Sequence, residues 1–229
     1  MQGSGNYSNP QDMIADIESE ARLTESYTGR RKFGQKIMAA MATVPRHNFV
    51  PENMKQYAYV NSPLAIGYGQ TISQPYIVAL MTDLLDIEGR DANVLEIGTG
   101  CGYQTAILAE IAKQVYSIEV INELAEQAEL LLRKLGYKNI VFKSGDGYFG
   151  WPEHAPYDGI LVTAAATNIP PALTEQLKPG GKLVIPVGGR YTSQDLLLVR
   201  KGKGGTVNQR KILPVAFVPF RHDSGETFN

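Results

Sequence analysis

The sequence predicts a doubly wound α/β protein with a mostly parallel sheet. Three observations predict it. Asn93 to Ile97 is a short, mostly apolar run that enters a turn with glycine at 98, 100 and 102, followed by a helix-forming stretch from about Tyr103 to Ala112. A second apolar run, Val115 to Val120, carries Glu119 near its end, about 20 residues past the glycines, where nucleotide-binding α/β folds put a carboxylate that accepts from ribose hydroxyls. Short apolar runs and helix-periodic stretches then keep alternating downstream, as repeated β-α units require.

The turn limits the ligand. Glycine lets the backbone bend sharply and lets a ligand approach without meeting a Cβ. A dinucleotide fingerprint counted from Gly98 would need its third glycine at 103, which is Tyr103. The pattern is instead E-x-G-x-G-x-G from Glu96 to Gly102, which resembles motif I of S-adenosylmethionine-dependent methyltransferases. No Lys or Arg stands between 98 and 103, so a Walker-type phosphate cradle is absent, and adenosylmethionine has no phosphate to hold. Its cationic sulfonium tolerates a nearby carboxylate such as Glu96. A tight turn without a ligand, with Glu119 a solvated strand end, is the plain alternative.

Length and composition fit one domain. The chain has 229 residues, 43% of them hydrophobic, and a net charge of −1. We expect about 1–60 to form a helical cap, about 61–190 the cofactor-binding core and about 191–229 a C-terminal strand region and tail. The balanced charge argues against a nucleic-acid partner. A single cysteine, Cys101, leaves no intrachain disulfide and no cysteine-rich metal site, and it reads as packing inside the turn. There is no charged-then-apolar leader, and no apolar run nears the roughly 20 residues of a membrane helix, so a cytoplasmic protein without a membrane partner is expected. A monomer is expected, because no long apolar stripe is left over.

The elements follow in order. Residues 1 to about 10 are polar and read as loose. Asp12 to Tyr27 has helical spacing, with Ile14, Ile17, Ala21 and Leu23 on one face, and Phe33 to Met41 forms a second helix. Val44-Pro45-Arg46 leaves that helix, and His47 to Pro51 continues as an extended link. Tyr57 to Pro75, with two glycines and three tyrosines, has the composition of a site-lining loop. Pro75 opens a helix that runs Tyr76 to Leu85, with Ser73 or Gln74 near its cap, so Ser73 is either a cap or a site residue. Asn122 to Leu135 is a helix capped by Asn122 and stopped by Gly136. Asn139 to Lys143 is a strand, and Asp146 at its C-terminal end is either a turn aspartate or an adenine contact. Tyr157 to Val162 is a strand, and Thr163 to Ala166 leaves it with small side chains, as a substrate-facing surface does. A helix from Pro171 to Leu177, a strand from Lys182 to Val187, a hairpin of Asp195–Lys201 with Val207–Leu213, and a last strand from Val215 to Phe220 complete the chain.

One string narrows the reading further. Ile66-Gly67-Tyr68-Gly69-Gln70-Thr71-Ile72-Ser73-Gln74-Pro75-Tyr76 resembles the signature of protein-L-isoaspartate O-methyltransferases. Val44-Pro45-Arg46, Phe49-Val50-Pro51, Gly145-Asp146-Gly147, Pro156-Tyr157-Asp158, Ala164-Ala165-Ala166 and Leu177-Lys178-Pro179-Gly180-Gly181 look like the same family, in its order. The match runs from about Phe33 to Phe220.

That resemblance implies transfer of a methyl group from S-adenosylmethionine to the free α-carboxylate of L-isoaspartyl residues in damaged proteins, with S-adenosylhomocysteine as product and no metal. The ester then closes to a succinimide, and hydrolysis returns part of it to aspartate. Such a carboxylate is already ionised at pH 7, so no strong base is needed. The three histidines, His47, His154 and His222, lie outside the signature segments and need no catalytic role. By position, Ser73 matches the family's active-site serine, expected to hold the substrate carboxylate. Gln70, Thr71 and Ile72 border cofactor and substrate. Glu96, Gly98, Thr99, Gly100 and Gly102 cradle the methionine part. Glu119 takes the ribose, Val120 lies beside the adenine, Asp146 and Gly147 meet the adenine edge, and Val218 helps hold the substrate. The segment before Phe33 is unplaced, Val78 stands where some members have histidine, and Thr167 where the family often has proline. A methyltransferase of small molecules or RNA would not need the Gly69–Pro75 string. A non-catalytic binding module would not need Ser73 with the glycines. A dehydrogenase is disfavoured by Tyr103.

Overall fold

A computed structural model describes residues 9–87, 91–189 and 193–221. Its centre is a seven-stranded sheet. The parallel strands are β3 (Asn93–Ile97), β4 (Gln114–Glu119), β5 (Ile140–Ser144), β6 (Tyr157–Val162) and β7 (Leu177–Val187), and β8 (Gln194–Lys201) and β9 (Val207–Val215) continue the sheet antiparallel. A separate hairpin is made by β1 (Leu64–Gly67) and β2 (Gln70–Ile72). The helices are α1 (Pro10–Leu23), α2 (Glu25–Thr28), α3 (Gln35–Thr43), α4 (Pro75–Leu85), α5 (Tyr103–Ile111), α6 (Asn122–Lys134) and α7 (Pro171–Glu175). The sheet order is β5-β4-β3-β6-β7-β8-β9. The chain therefore winds outward on one side of β3 and returns to wind outward on the other side from β6. That reversal opens a crevice beyond the C-terminal ends of β3 and β6, where open α/β sheets bind ligands.

The central strands are apolar on both faces because helices cover both. Val94, Leu95, Ile160, Leu161 and Val162 are all fully buried. Lys178 Nζ lies 2.7 Å from Asp158 Oδ2, which also accepts from the Asn93 N–H at 2.8 Å, tying the starts of β3 and β6 together. Helix α4 is apolar nearly all round, with Tyr76, Val78, Ala79, Leu80, Met81, Leu84 and Leu85 buried, so it lies inside the molecule. One continuous apolar cluster joins Met13, Ile17 and Ile37 of the N-terminal helices to α4 and α5.

Several expected boundaries change. The first helix breaks at Thr24, whose hydroxyl bonds the Glu20 carbonyl and, at 2.5 Å, the Tyr76 hydroxyl. The Asn9–Asp12 capping box starts the helix two residues early; its buried face is Met13, Ile17 and Ala21, spaced i, i+4, i+8, and Leu23, off that stripe, is exposed. His47 to Pro51 is not an extended link. Arg46–Phe49 closes a 3-10 turn, with the Pro45 carbonyl accepting the Asn48 N–H at 2.9 Å. The Tyr57–Pro75 loop contains the β1-β2 hairpin, which turns at Tyr68 (φ 54°) and Gly69 (φ 70°).

Ile121, not Asn122, caps α6, and the Asn122 side chain pairs with the Ser144 hydroxyl. Strand β7 starts at Leu177, already paired with Tyr157, with its irregularity over 178–181. Residues 216–221 do not form a strand. They cross the sheet end in extended form, with Ala165 N–H donating to Val218 O and Phe220 N–H to Ala165 O, both at 2.8 Å. The N-terminal segment 1–8, His222 and the rest of the tail lie outside the described residues.

Candidate active site

The crevice holds a cleft of about 770 Å³. Its floor is the turn after β3. Gly98 has φ 95°, and a Cβ there would lie 2.2 Å from Thr163 Oγ1, whose hydroxyl donates to the Gly98 carbonyl at 2.7 Å. Gly98 is therefore required twice, by its backbone and by its neighbour. Gly102 packs under the turn, where a Cβ would meet Leu132 at 2.8 Å, and it does not line the cleft. At Gly100 a Cβ would only touch Ile66 at 3.6 Å, so this glycine leaves the approach open rather than relieving a clash.

Glu119 ends β4 and is 6% exposed. Its Oε2 accepts the Gly100 N–H at 2.8 Å and its Oε1 the Ile121 N–H at 3.0 Å. Each oxygen keeps a lone pair, and Glu119 lines the cleft. The carboxylate thus fixes the turn and presents acceptors at the same time.

Glu96 is placed differently from the expectation. It is fully buried and does not line the cleft. Its Oε2 accepts from Thr105 Oγ1 and Ser117 Oγ, both at 2.6 Å, and Ser117 Oγ lies 2.6 Å from Thr99 Oγ1. Burial raises its pKa to about 8, against the opposing effect of those two hydroxyls. Glu96 is therefore largely a neutral acid at pH 7. It cannot touch a ligand in the cleft, and supports Thr99 through Ser117 instead. Asp146 is also absent from the lining, and its Oδ1 accepts the Tyr148 N–H at 2.8 Å, so it starts a tight turn while Gly145 and Gly147 face the cleft. Cys101 lines the cleft with its thiol pushed up to about 11 by burial, so it is a neutral thiol.

Gln70, Thr71, Ile72 and Ser73 line the cleft, as do Val120 and Gly147. Ser73 does not cap α4, which has no side-chain cap. A second space of about 1020 Å³ adjoins, lined by Glu20, Gln74, Ile77 and residues 213–218 among others. The two spaces share Thr71, Ser73, Thr163 and Val218. His47 and His154 line neither: the first pairs with Tyr59 and the second stacks on Tyr116. Thr163, which the sequence marks as the start of a substrate-facing surface, lines both spaces. Glu20 and Arg221 are not singled out from sequence as site residues: they come from distant segments and carry no local signal.

A doubly wound sheet with a glycine turn after its central strand and a ribose-type carboxylate on the next strand defines a class I methyltransferase fold. The comparisons give the particular family. A model of the protein-L-isoaspartate(D-aspartate) O-methyltransferase family matches residues 19–225. The chain is 58% identical over 207 residues to protein-L-isoaspartate O-methyltransferase 2 of Syntrophobacter fumaroxidans, covering 90% of this chain and 83% of that one. It is 56% identical over 207 residues to the enzyme of the same name from a Polaromonas species, covering 90% and 98%. A solved protein-L-isoaspartate O-methyltransferase superposes with a TM-score of 0.80 at 26% identity, over 95% of this chain and 67% of that one. The chain belongs to the protein-L-isoaspartate O-methyltransferase family.

Proposed function

We propose that the protein repairs damaged proteins by methylating the free α-carboxylate of their L-isoaspartyl residues, with S-adenosylmethionine as donor. The observation that carries this reading is the junction of the two spaces at Thr71, Ser73, Thr163 and Val218. A donor in the first space and an acceptor in the second would meet there, and among the described residues the two spaces share no other lining residue.

The first space fits the donor. Its floor lacks side chains at Gly98 and Gly100, and Glu119 offers carboxylate lone pairs suited to paired hydroxyls. Among the described residues no cluster of His, Cys, Asp and Glu could hold a metal ion. S-adenosylmethionine, when bound, supplies an electrophilic methyl group on a sulfonium. The chain's own part is alignment and the exclusion of water. In this reading Glu119 holds the ribose hydroxyls, and Gly98, Thr99 and Gly100 receive the methionine part, supported from below by Glu96 and Gly102. Val120 and Gly147, with Asp146 setting the turn, bound the adenine. Gln70, Thr71 and Ile72 separate the two reactants. Ser73 donates a hydrogen bond to the acceptor carboxylate, and Val218 with its backbone neighbours holds the peptide. No base is required, since the acceptor is ionised at neutral pH.

The net charge of −1 supports a protein rather than a nucleic-acid substrate, and we place the enzyme in the cytoplasm. No helix among the described residues is long and apolar enough to cross a membrane.

The test is methyl transfer from labelled S-adenosylmethionine to two matched peptides, one with L-isoaspartate and one with normal aspartate. Base-labile label on the isoaspartyl peptide alone supports the reading. Label on neither, or on both equally, would overturn it.

A further inference from the structure

Arg46 is fully buried, yet among the described residues it forms no ion pair. Its Nε donates to the Ala58 carbonyl at 2.8 Å and its Nη2 to the Ser73 carbonyl at 2.7 Å. The guanidinium carbon lies 4.7 Å from the centroid of the Tyr103 ring, and Nη1 makes no hydrogen bond. Tyr103 is the first residue of α5, directly after the glycine turn, and it lines the cleft. One buried cation therefore touches both walls of the site: the Ser73 segment on the acceptor side and the end of the glycine turn on the donor side.

The chemistry is a poor way merely to fill space. A buried charge loses its hydration, and an apolar side chain of similar volume usually serves a core at least as well. A leucine or methionine could pack on Tyr103. Neither could donate to two carbonyls at once, which the planar fork of arginine does. The Ser73 carbonyl lies between the end of β2 and the start of α4, and the Tyr76 N–H, which could close a local turn onto it, donates instead to Asn61 Oδ1 at 3.0 Å.

We infer that Arg46 is a positioning residue for methyl transfer, holding the Ser73 peptide and hence its hydroxyl at a set place relative to the glycine turn. The inference rests on the assignment of Ser73 to the acceptor site. A shift of about 1 Å in such a group can lower turnover about a hundredfold, so a long-range clamp of this kind has a measurable effect.

A double-mutant cycle tests it. Arg46→Lys keeps the charge but replaces the planar fork, whose Nε and Nη2 donate from two separate atoms, by a single ammonium nitrogen on a flexible stem. It is combined with Ser73→Ala, and each protein is measured for kcat and KM with an isoaspartyl peptide, for S-adenosylhomocysteine affinity by calorimetry, and for melting temperature. We expect Arg46→Lys to lower kcat about tenfold in the wild-type background and less than about twofold once Ser73 is alanine, with product affinity within about threefold throughout. If the two losses multiply in full, or if kcat is unchanged in Arg46→Lys, the inference is overturned and the serine assignment stands. If Ser73→Ala alone keeps full kcat, the serine assignment fails and this inference with it. Should Arg46→Lys not fold, Arg46→Gln puts the same question. If neither folds, Arg46 holds the fold rather than the loop, and the inference falls.

Discussion

Thr163 Oγ1 donates to the Gly98 carbonyl at 2.7 Å, and a Cβ added to Gly98 would sit 2.2 Å from that same oxygen. The end of β6 thus closes over the turn that follows β3. Gly98→Ala must displace Thr163 and also hold φ near 95°. The expected cost is about 2–4 kcal/mol of stability, with at least a tenfold loss of S-adenosylhomocysteine affinity. Calorimetry and thermal melting would measure both. Adding Thr163→Ala should recover part of the stability, since it removes the clash but not the backbone strain. An unaltered affinity in Gly98→Ala would show that the turn does not set the donor site.

Glu119 uses both oxygens on backbone N–H groups. In Glu119→Gln one of these donors would face an amide NH₂. We expect about 1–3 kcal/mol of destabilisation and at least a tenfold weaker hold on S-adenosylhomocysteine. Equal affinity in the variant would remove Glu119 from the ribose role.

Ser73→Ala should lower kcat/KM for an isoaspartyl peptide by about tenfold or more, the scale of one hydrogen bond to a charged group. Product affinity should stay within about threefold. Melting temperature should hardly move, because the serine does not cap α4. A large drop in melting temperature with unchanged activity would assign Ser73 to structure instead.

The buried Glu96 makes a pH prediction. Its carboxyl has the ordinary value of 4.5 in the unfolded chain, and burial pushes it up to about 8 in the fold. Between these values the folded protein keeps a proton that the unfolded chain has lost. Stability should therefore fall as pH rises through this window and level off above it. Glu96→Gln, which cannot titrate, should lose that part of the slope. The variant should gain on the wild type by on the order of 1–3 kcal/mol between about pH 5 and pH 8. Denaturant melts across that range would show it, and a constant difference at every pH would mean that Glu96 is already ionised.

Much of the fold was legible because its signals are local. The alternation of apolar runs with 3.6-period stretches located β3, β4, β5, β6, α5 and α6 to within a residue or two. Where local signals failed, a distant partner had won. Thr24, at the end of the first helix, is tied by its hydroxyl to Tyr76 of α4, and 216–221 lies beside β6 rather than in the sheet, with Ala165 bonded to Val218 and Phe220.

By itself the sequence determined the class of fold, the glycine turn, the strand-end carboxylate and the serine string, since each is a short pattern whose residue types dictate local backbone and chemistry. Only the tertiary structure decided which of these reach the cleft. Glu96 and Gly102 share a motif with Gly98 and Gly100, yet packing places the first pair beneath the turn and the second pair against the open space. It also decided that Arg46, Ser73 and Tyr103 meet. Their separations in the chain leave no periodic trace, because a guanidinium bridging two carbonyls depends on distance in space and not on spacing in sequence.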